Sequence, residues 1–321
     1  MKELDFLKEI NETLDDNSYL GDDCAYLEDL DIFITQDTLV EDVHFSLETT
    51  TPYLLGRKAV AVNLSDLAAS LSEPKYITIS LSLPKTTEKS FVKEFYTGVN
   101  DICTEYGVKV VGGDLTGAKK IYISVAAIGK KVSPYTSSRA NAKDGDLIIT
   151  TGESGSSACG LFCLQNEVKT TKAIIEAHTN PMPRLKESKA LSSQISSNIT
   201  LMDTSDGLAD ALFKVSQASS CDMIIDFDKI PFNEELKAIS QKNGKNLADW
   251  ILWGGEDYEL LACISKKDYE KLDPKTFKIL GSVVKNSQSI GNVVLNKDSQ
   301  TIKIDETTFS KKSFDHFEEK L

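Results

Sequence analysis

Residues 76–83 read Tyr76-Ile77-Thr78-Ile79-Ser80-Leu81-Ser82-Leu83, an alternation of apolar and small polar side chains that Pro84 closes. A period of two sends the apolar set to one face of an extended strand and the polar set to the other. Upstream, residues 54–72 carry Val60, Val62, Leu64, Leu67, Ala68 and Leu71 and predict a largely buried helix, in which Asp66 stands out as the edge of a polar pocket. Downstream, residues 91–106 predict a second helix, 108–111 a short strand, Gly112-Gly113-Asp114 a turn and 121–128 a further strand. Residues 31–37 have strand propensity, and Leu4, Leu7, Ile10 and Leu14 are spaced as one helix face. Helices and strands therefore interleave, which excludes a bundle or an all-strand unit.

The segment Ser133-Pro134-Tyr135-Thr136-Ser137-Ser138-Arg139 is rich in turn formers and predicts a boundary, with a second unit starting near Ser138. That unit opens with an apolar strand at 147–149 and a helix at 158–164. It continues with a helix over 203–218, a strand at 223–225 and short apolar runs at 260–264, 277–280, 293–295 and 301–304. A chain of 321 residues is long enough for two such domains.

Lys plus Arg total 36 against 49 Asp plus Glu, a net charge of −13, which opposes nonspecific binding to nucleic-acid phosphates and anionic membranes. Six cysteines lie scattered through apolar stretches, and with only three histidines no four-ligand zinc pattern forms, so buried free thiols in a reducing compartment are expected. The start Met1-Lys2-Glu3-Leu4-Asp5 lacks the features of a signal peptide, and no apolar run is long enough to cross a bilayer. A cytoplasmic location is the expectation.

Acidic residues recur beside glycines, turns or the ends of apolar runs: Gly21-Asp22-Asp23, Asp37, Asp66, Gly112-Gly113-Asp114, Asp203-Thr204-Ser205-Asp206-Gly207 and Gly254-Gly255-Glu256-Asp257. Carboxylates from different elements can converge on hard cations, and such cations can bridge a polyphosphate that an acidic protein would otherwise repel. Each segment also has a plainer reading. Asp22-Asp23 and Asp203-Ser205-Asp206 suit capping turns, Arg139 suits a salt bridge as well as a phosphate clamp, and Phe314 packs with or without a ligand. Neither a P-loop nor a protein-kinase glycine pattern is present, so Mg-nucleotide chemistry would need another framework.

An ordered set of motifs supplies one. Gly21-Asp22-Asp23-Cys24-Ala25, Gln36-Asp37-Thr38-Leu39-Val40-Glu41-Asp42-Val43-His44-Phe45 and Ala61-Val62-Asn63-Leu64-Ser65-Asp66-Leu67-Ala68-Ala69 are followed by Gly112-Gly113-Asp114 and by Arg139 with Gly145-Asp146. His178, Asn180-Pro181-Met182-Pro183-Arg184, Asp203-Thr204-Ser205-Asp206-Gly207-Leu208, Gly255-Glu256-Asp257-Tyr258-Glu259-Leu260 and Phe314-Asp315-His316-Phe317 complete it. Almost end to end, the chain resembles the thiamine-monophosphate kinases of the aminoimidazole ribonucleotide synthetase-like superfamily. The resemblance implies two mixed α+β domains, residues 1–137 binding metal and substrate and 138–321 binding nucleotide and substrate, with the active site between them and a homodimer formed through the amino-terminal domains. It implies magnesium at Asp23, Thr35, Gln36, Asp37, Asp66, Asp114, Asp203 and Asp206, with Asp37, Asp66, Asp114 and Asp206 carrying catalysis. Tyr106, Gly113, Asp114, Arg139 and Ser205 would bind ATP, and His44, Glu256 and Phe314 thiamine monophosphate. Gln36 stands where many relatives have threonine, and Leu115 where threonine commonly follows Gly-Gly-Asp. Two other readings stay open at this level: activation of a different small oxygen-containing substrate, and a regulator that binds metal and nucleotide without turnover.

Overall fold

The computed structural model describes residues 2–286, 290–297 and 300–317. Helix α1 (Glu3–Thr13) leaves Phe6, Leu7 and Ile10 exposed and leads to a first sheet. Its strands are β1 (Ala25–Leu27), β2 (Ile32–Val40), β3 (Ser72–Leu83), β4 (Lys109–Gly117) and β5 (Tyr122–Lys131), in the spatial order β1-β2-β5-β3-β4. Helix α2 (Pro52–Ala69) joins β2 to β3, and α3 (Lys89–Tyr106) joins β3 to β4. β3 and β4 are parallel and so need that helical crossover, whereas β5 pairs antiparallel with both β2 and β3. The alternation in β3 works as expected: Ile77, Ile79 and Leu81 enter the core with Val60, Leu64, Phe95 and Val99 of the two helices, while Thr78 and Ser80 face the opposite, open side.

One local expectation is corrected. Gly112-Gly113-Asp114 is not a turn but the middle of β4, which runs on to Gly117. The glycines permit close pairing, since a Cβ on Gly113 would sit 2.0 Å from the Ile79 carbonyl oxygen. Glycine acts here as a spacer between strands rather than as a chain reversal.

The second sheet takes β6 (Leu147–Thr150), β7 (Thr200–Asp203), β8 (Cys221–Asp226), β9 (Leu260–Ile264), β10 (Lys278–Lys285), β11 (Val293–Lys297) and β12 (Gln300–Ile304), in the order β12-β11-β8-β10-β6-β9-β7. The accompanying helices are α4 (Ser156–Gln165), α5 (Lys172–Thr179), α6 (Leu185–Gln194), α7 (Leu208–Ser219), α8 (Glu234–Lys242), α9 (Leu247–Trp253), α10 (Lys266–Tyr269) and α11 (Glu306–Lys312). The helix expected over 203–218 is shorter than its pattern: Asp203 ends β7, and α7 begins only at Leu208.

Helix α2 serves both sheets. Its middle packs on the first, and Ala68 and Ala69 at its end join Leu71, Ile149, Leu201 and Leu260 in a core that includes the second. That double burial explains the near-absence of an exposed face and sets Asp66 where the two sheets meet. All six cysteines are buried and free, and among the described residues no helix is long and apolar enough to cross a membrane.

Candidate active site

Three strand and helix ends deliver one acidic cluster. Asp23 precedes β1, Asp66 lies near the end of α2 and Asp203 closes β7; one carboxylate oxygen from each lies within 4.8 Å of the others. Short bonds aim these groups: the Thr35 hydroxyl donates to Asp66 over 2.6 Å, and the Ser65 hydroxyl to Asp203 over 2.6 Å. Asp37 lies on the same sheet face as Thr35, its backbone N–H donating to the Asn63 side chain of α2. Burial pushes the Asp203 carboxyl up to about 7, with Asp23 adding to it, and pushes Asp37 up to about 6, with Asp206 and Asp23 adding to it. Burial and the neighbouring Asp37, Asp203 and Asp23 raise Asp66 further. Such a cluster favours whatever brings compensating positive charge.

Arg139 supplies part of that charge. Its Nη2 lies 2.5 Å from Asp23, its backbone N–H donates to Asp22, and its Nε is buried with no hydrogen-bond partner among the described residues. Asp206, between β7 and α7, pairs with Lys214 over 2.9 Å, and the same ammonium reaches Asp210 over 2.7 Å. Gly207 holds a positive φ of 104° in this connection, and a Cβ there would meet the Gly254 carbonyl oxygen at 3.0 Å. The turn can therefore pass close under the Gly254-Gly255 loop.

A cavity of about 1180 Å³ is bordered by Asp37, Asp66, Asp206, His44, Glu256 and Phe314. Three of the side chains expected for metal and all three expected for the organic substrate thus border one space, while Asp23 lines a neighbouring, smaller pocket. His44 Nδ1 accepts from the Val40 N–H over 3.0 Å, so a neutral ring carries its proton on Nε2. Its ring centroid lies 5.0 Å from that of His316, which meets Phe314 edge-on at 4.8 Å. Burial, with His316 next, lowers the His44 pKa and favours the neutral imidazole.

Glu256 is held in a way its sequence context does not reveal. It pairs with the buried Lys58 of α2 over 2.9 Å and with His178 over 3.2 Å, from a backbone with φ of 67°. Its N–H donates to the Ser205 carbonyl over 2.6 Å, which ties the loop to the Asp203–Asp206 turn. Burial would raise its carboxyl, but Lys58 and His178 more than offset this and hold it at about 2. Asp257 has the plainer role: it accepts N–H bonds from Gly155 at 2.5 Å and Ser157 at 2.9 Å at the start of α4. Asn180 and Arg184, quoted as motif residues, also serve contacts within the chain, receiving Arg57 over 2.8 Å and donating to Glu259 over 2.7 Å.

Not every expected residue gathers here. Thr35 and Asp37 face the helices, so Gln36 between them is exposed on the open sheet face. Asp114, opposite Ser80 in the register, shares that open face, and β4 and β1 are the two edges of the sheet. Tyr106 ends α3 beside that β4 edge, and its hydroxyl is raised to about 12 by burial and then by Glu105. Within one chain, Tyr106, Gly113 and Asp114 therefore stand apart from Asp23, Arg139 and Ser205. Sequence reasoning missed Lys58 and Lys214; lysines inside an otherwise apolar helix, each one helical turn or more from a motif acid, were the available signal.

Comparison with known proteins gives this arrangement a class. Residues 21–130 match the family model of the AIR synthase related protein, N-terminal domain. Over 311 residues the chain is 34% identical to the thiamine-monophosphate kinase of Bacillus subtilis, covering 93% of each. Its structure superposes on AaThiL complexed with AMPPCP and TMP at a TM-score of 0.85, with 32% identity over 98% of this chain and 97% of the other. The thiamine-monophosphate kinase of Aquifex aeolicus superposes at 0.80, also with 32% identity, over 94% and 96% of the two chains. The fold is thus that of an AIR-synthase-related phosphotransferase. More narrowly, the chain belongs to the thiamine-monophosphate kinase family.

Proposed function

We propose that the chain transfers the γ-phosphoryl group of ATP directly to the phosphate of thiamine monophosphate, giving thiamine diphosphate and ADP. The observation that carries this reading is the single cavity bordered both by Asp37, Asp66 and Asp206 and by His44, Glu256 and Phe314. The related structure with AMPPCP and TMP supports the same pair of ligands.

Asp23, Asp37, Asp66, Asp203 and Asp206, with the Thr35 hydroxyl, offer only oxygen donors, the set that suits magnesium. Bound there, Mg2+ would neutralise charge on the polyphosphate. The buried Arg139 Nε is an available donor for a nucleotide phosphate, and Ser205 borders the cavity. Glu256, ionised at neutral pH, attracts the cationic thiamine moiety and Phe314 packs against it, while His44 contacts the acceptor phosphate. An oxygen of that phosphate bonds to the γ-phosphorus as the bond from phosphorus to the β–γ bridging oxygen breaks, and the electron pair leaves with ADP. The acceptor oxygen is already ionised, so no side chain has to remove a proton, and in-line alignment is the chain's main contribution.

Tyr106, Gly113, Asp114 and Gln36 enter this reading through a homodimer. The open sheet face and β4 edge leave Val111 57% and Leu115 68% exposed, a surface suited to a second copy that would bring those residues to a shared site. The reading assigns residues 1–137 to metal and substrate and 138–321 to nucleotide and substrate, in a cytoplasmic enzyme. Purified nucleotide-free protein with ATP, Mg2+ and thiamine monophosphate should yield thiamine diphosphate and stoichiometric ADP by mass spectrometry, with both lost in Asp206→Asn. No product from folded, ATP-binding protein with any of several divalent cations would sink it.

A further inference from the structure

Lys214 is not among the motif residues, yet its ammonium lies 2.9 Å from Asp206 and 2.7 Å from Asp210. The three residues are spaced four apart, so they stack along one side of α7 and the turn before it. The lysine reaches back toward the helix N-terminus, where the macrodipole disfavours a cation, so the two carboxylates are what hold it there. They hold it unequally. The Asp210 side chain is only 3% exposed, whereas that of Asp206 is 38% exposed and borders the main cavity, which Asp210 does not.

Asp210 is therefore a fixed anchor and Asp206 an exchangeable partner. We infer that Lys214 is a positioning residue that occupies Asp206 with an internal cation until the metal and nucleotide arrive together. This rests on the reading that Asp206 ligates the divalent cation. A cation alone has to displace the ammonium from Asp206 and gains little. With a polyphosphate present, the displaced ammonium, still anchored on Asp210, faces an anion and the exchange becomes favourable. Lys214 thereby couples the two binding events, each raising affinity for the other by the same factor.

The test is Mn2+ binding followed by electron paramagnetic resonance, with and without AMPPCP, in the unaltered chain, Lys214→Met, Lys214→Gln, Lys214→Arg and Asp66→Asn. Removing the charge should tighten Mn2+ binding to nucleotide-free protein at least fivefold and shrink the AMPPCP-induced gain in Mn2+ affinity by a similar factor, while Lys214→Arg retains both properties. A merely structural lysine would leave the nucleotide-free affinity unchanged or weaken it. Gln leaves a polar group beside the buried Asp210 carboxylate, whose contact with Lys214 is an ion pair, so it serves if the Met variant does not fold. Unchanged or weaker Mn2+ binding in the folded variants overturns the inference, while its loss in Asp66→Asn upholds the metal site itself. Absence of Mn2+ binding in the unaltered chain overturns both.

Discussion

The Lys58 ammonium lies 2.9 Å from Glu256, joining α2 to the loop that follows α9. Lys58 is 3% exposed, so its charge is taken out of water on behalf of a carboxylate at the cavity. Lys58→Met would leave Glu256 without its main counter-charge and should cost about 3 kcal/mol, read as a lower urea midpoint at pH 7. Because the Glu256 pKa is lowered from 4.5 to about 2 on folding, its contribution is full above pH 4.5 and lost as pH falls toward 2. The destabilisation caused by Lys58→Met should therefore diminish over that window.

Asp257 titrates with the opposite sign. Burial raises its carboxyl from 3.8 to about 7, so the term it contributes is full below pH 3.8 and is lost as pH rises through 7. Unfolding free energy of the native chain should fall between pH 5 and 7 more steeply than that of Asp257→Asn, by at most about 1.4 kcal/mol per pH unit. Matching slopes in the two chains would refute this role.

Asp66 carries a trade between stability and binding. Its carboxylate is buried among Asp23, Asp37 and Asp203, so Asp66→Asn should raise the melting temperature in the presence of a chelator. The Asn side chain still accepts from the Thr35 hydroxyl, so the change chiefly removes charge. Saturating Mg2+ should stabilise the native chain by about 2–3 kcal/mol and the variant by much less, measured by calorimetry with and without the ion.

Gly56 of α2 and Gly98 of α3 let two helix backbones touch. A Cβ on Gly56 would lie 2.1 Å from the Phe95 carbonyl oxygen, and one on Gly98 1.9 Å from that of Tyr53. Alanine at either position should destabilise the protein by about 3 kcal/mol, despite alanine's better helix propensity, because the crossing has to widen. Denaturant unfolding of the two single variants checks it.

Much of the fold was legible because its elements obey local periodicity. The alternation in β3 and the spacing in α2 and α3 follow from which faces must be buried, and neither needs a distant residue to be read. The acids of the candidate site were legible too, as an ordered series of motifs. Only the start of β4 was, at 108–111: its continuation was not, because glycine beside glycine reads locally as a turn and becomes a strand only when β3 lies alongside.

What the sequence by itself determined is the identity of the elements and the inventory of acids, histidines and aromatics, since both are properties of neighbouring residues. Tertiary structure alone decided which of these meet. It set Asp23, Asp66 and Asp203 within 4.8 Å across two sheets, turned Gln36 and Asp114 to the open face, and engaged Glu256 with Lys58 and Asp206 with Lys214. The physical reason is that pleat direction, strand order and the packing of α2 between the sheets fix where each side chain points. Charge pairing then follows from distance and burial, which no local pattern records.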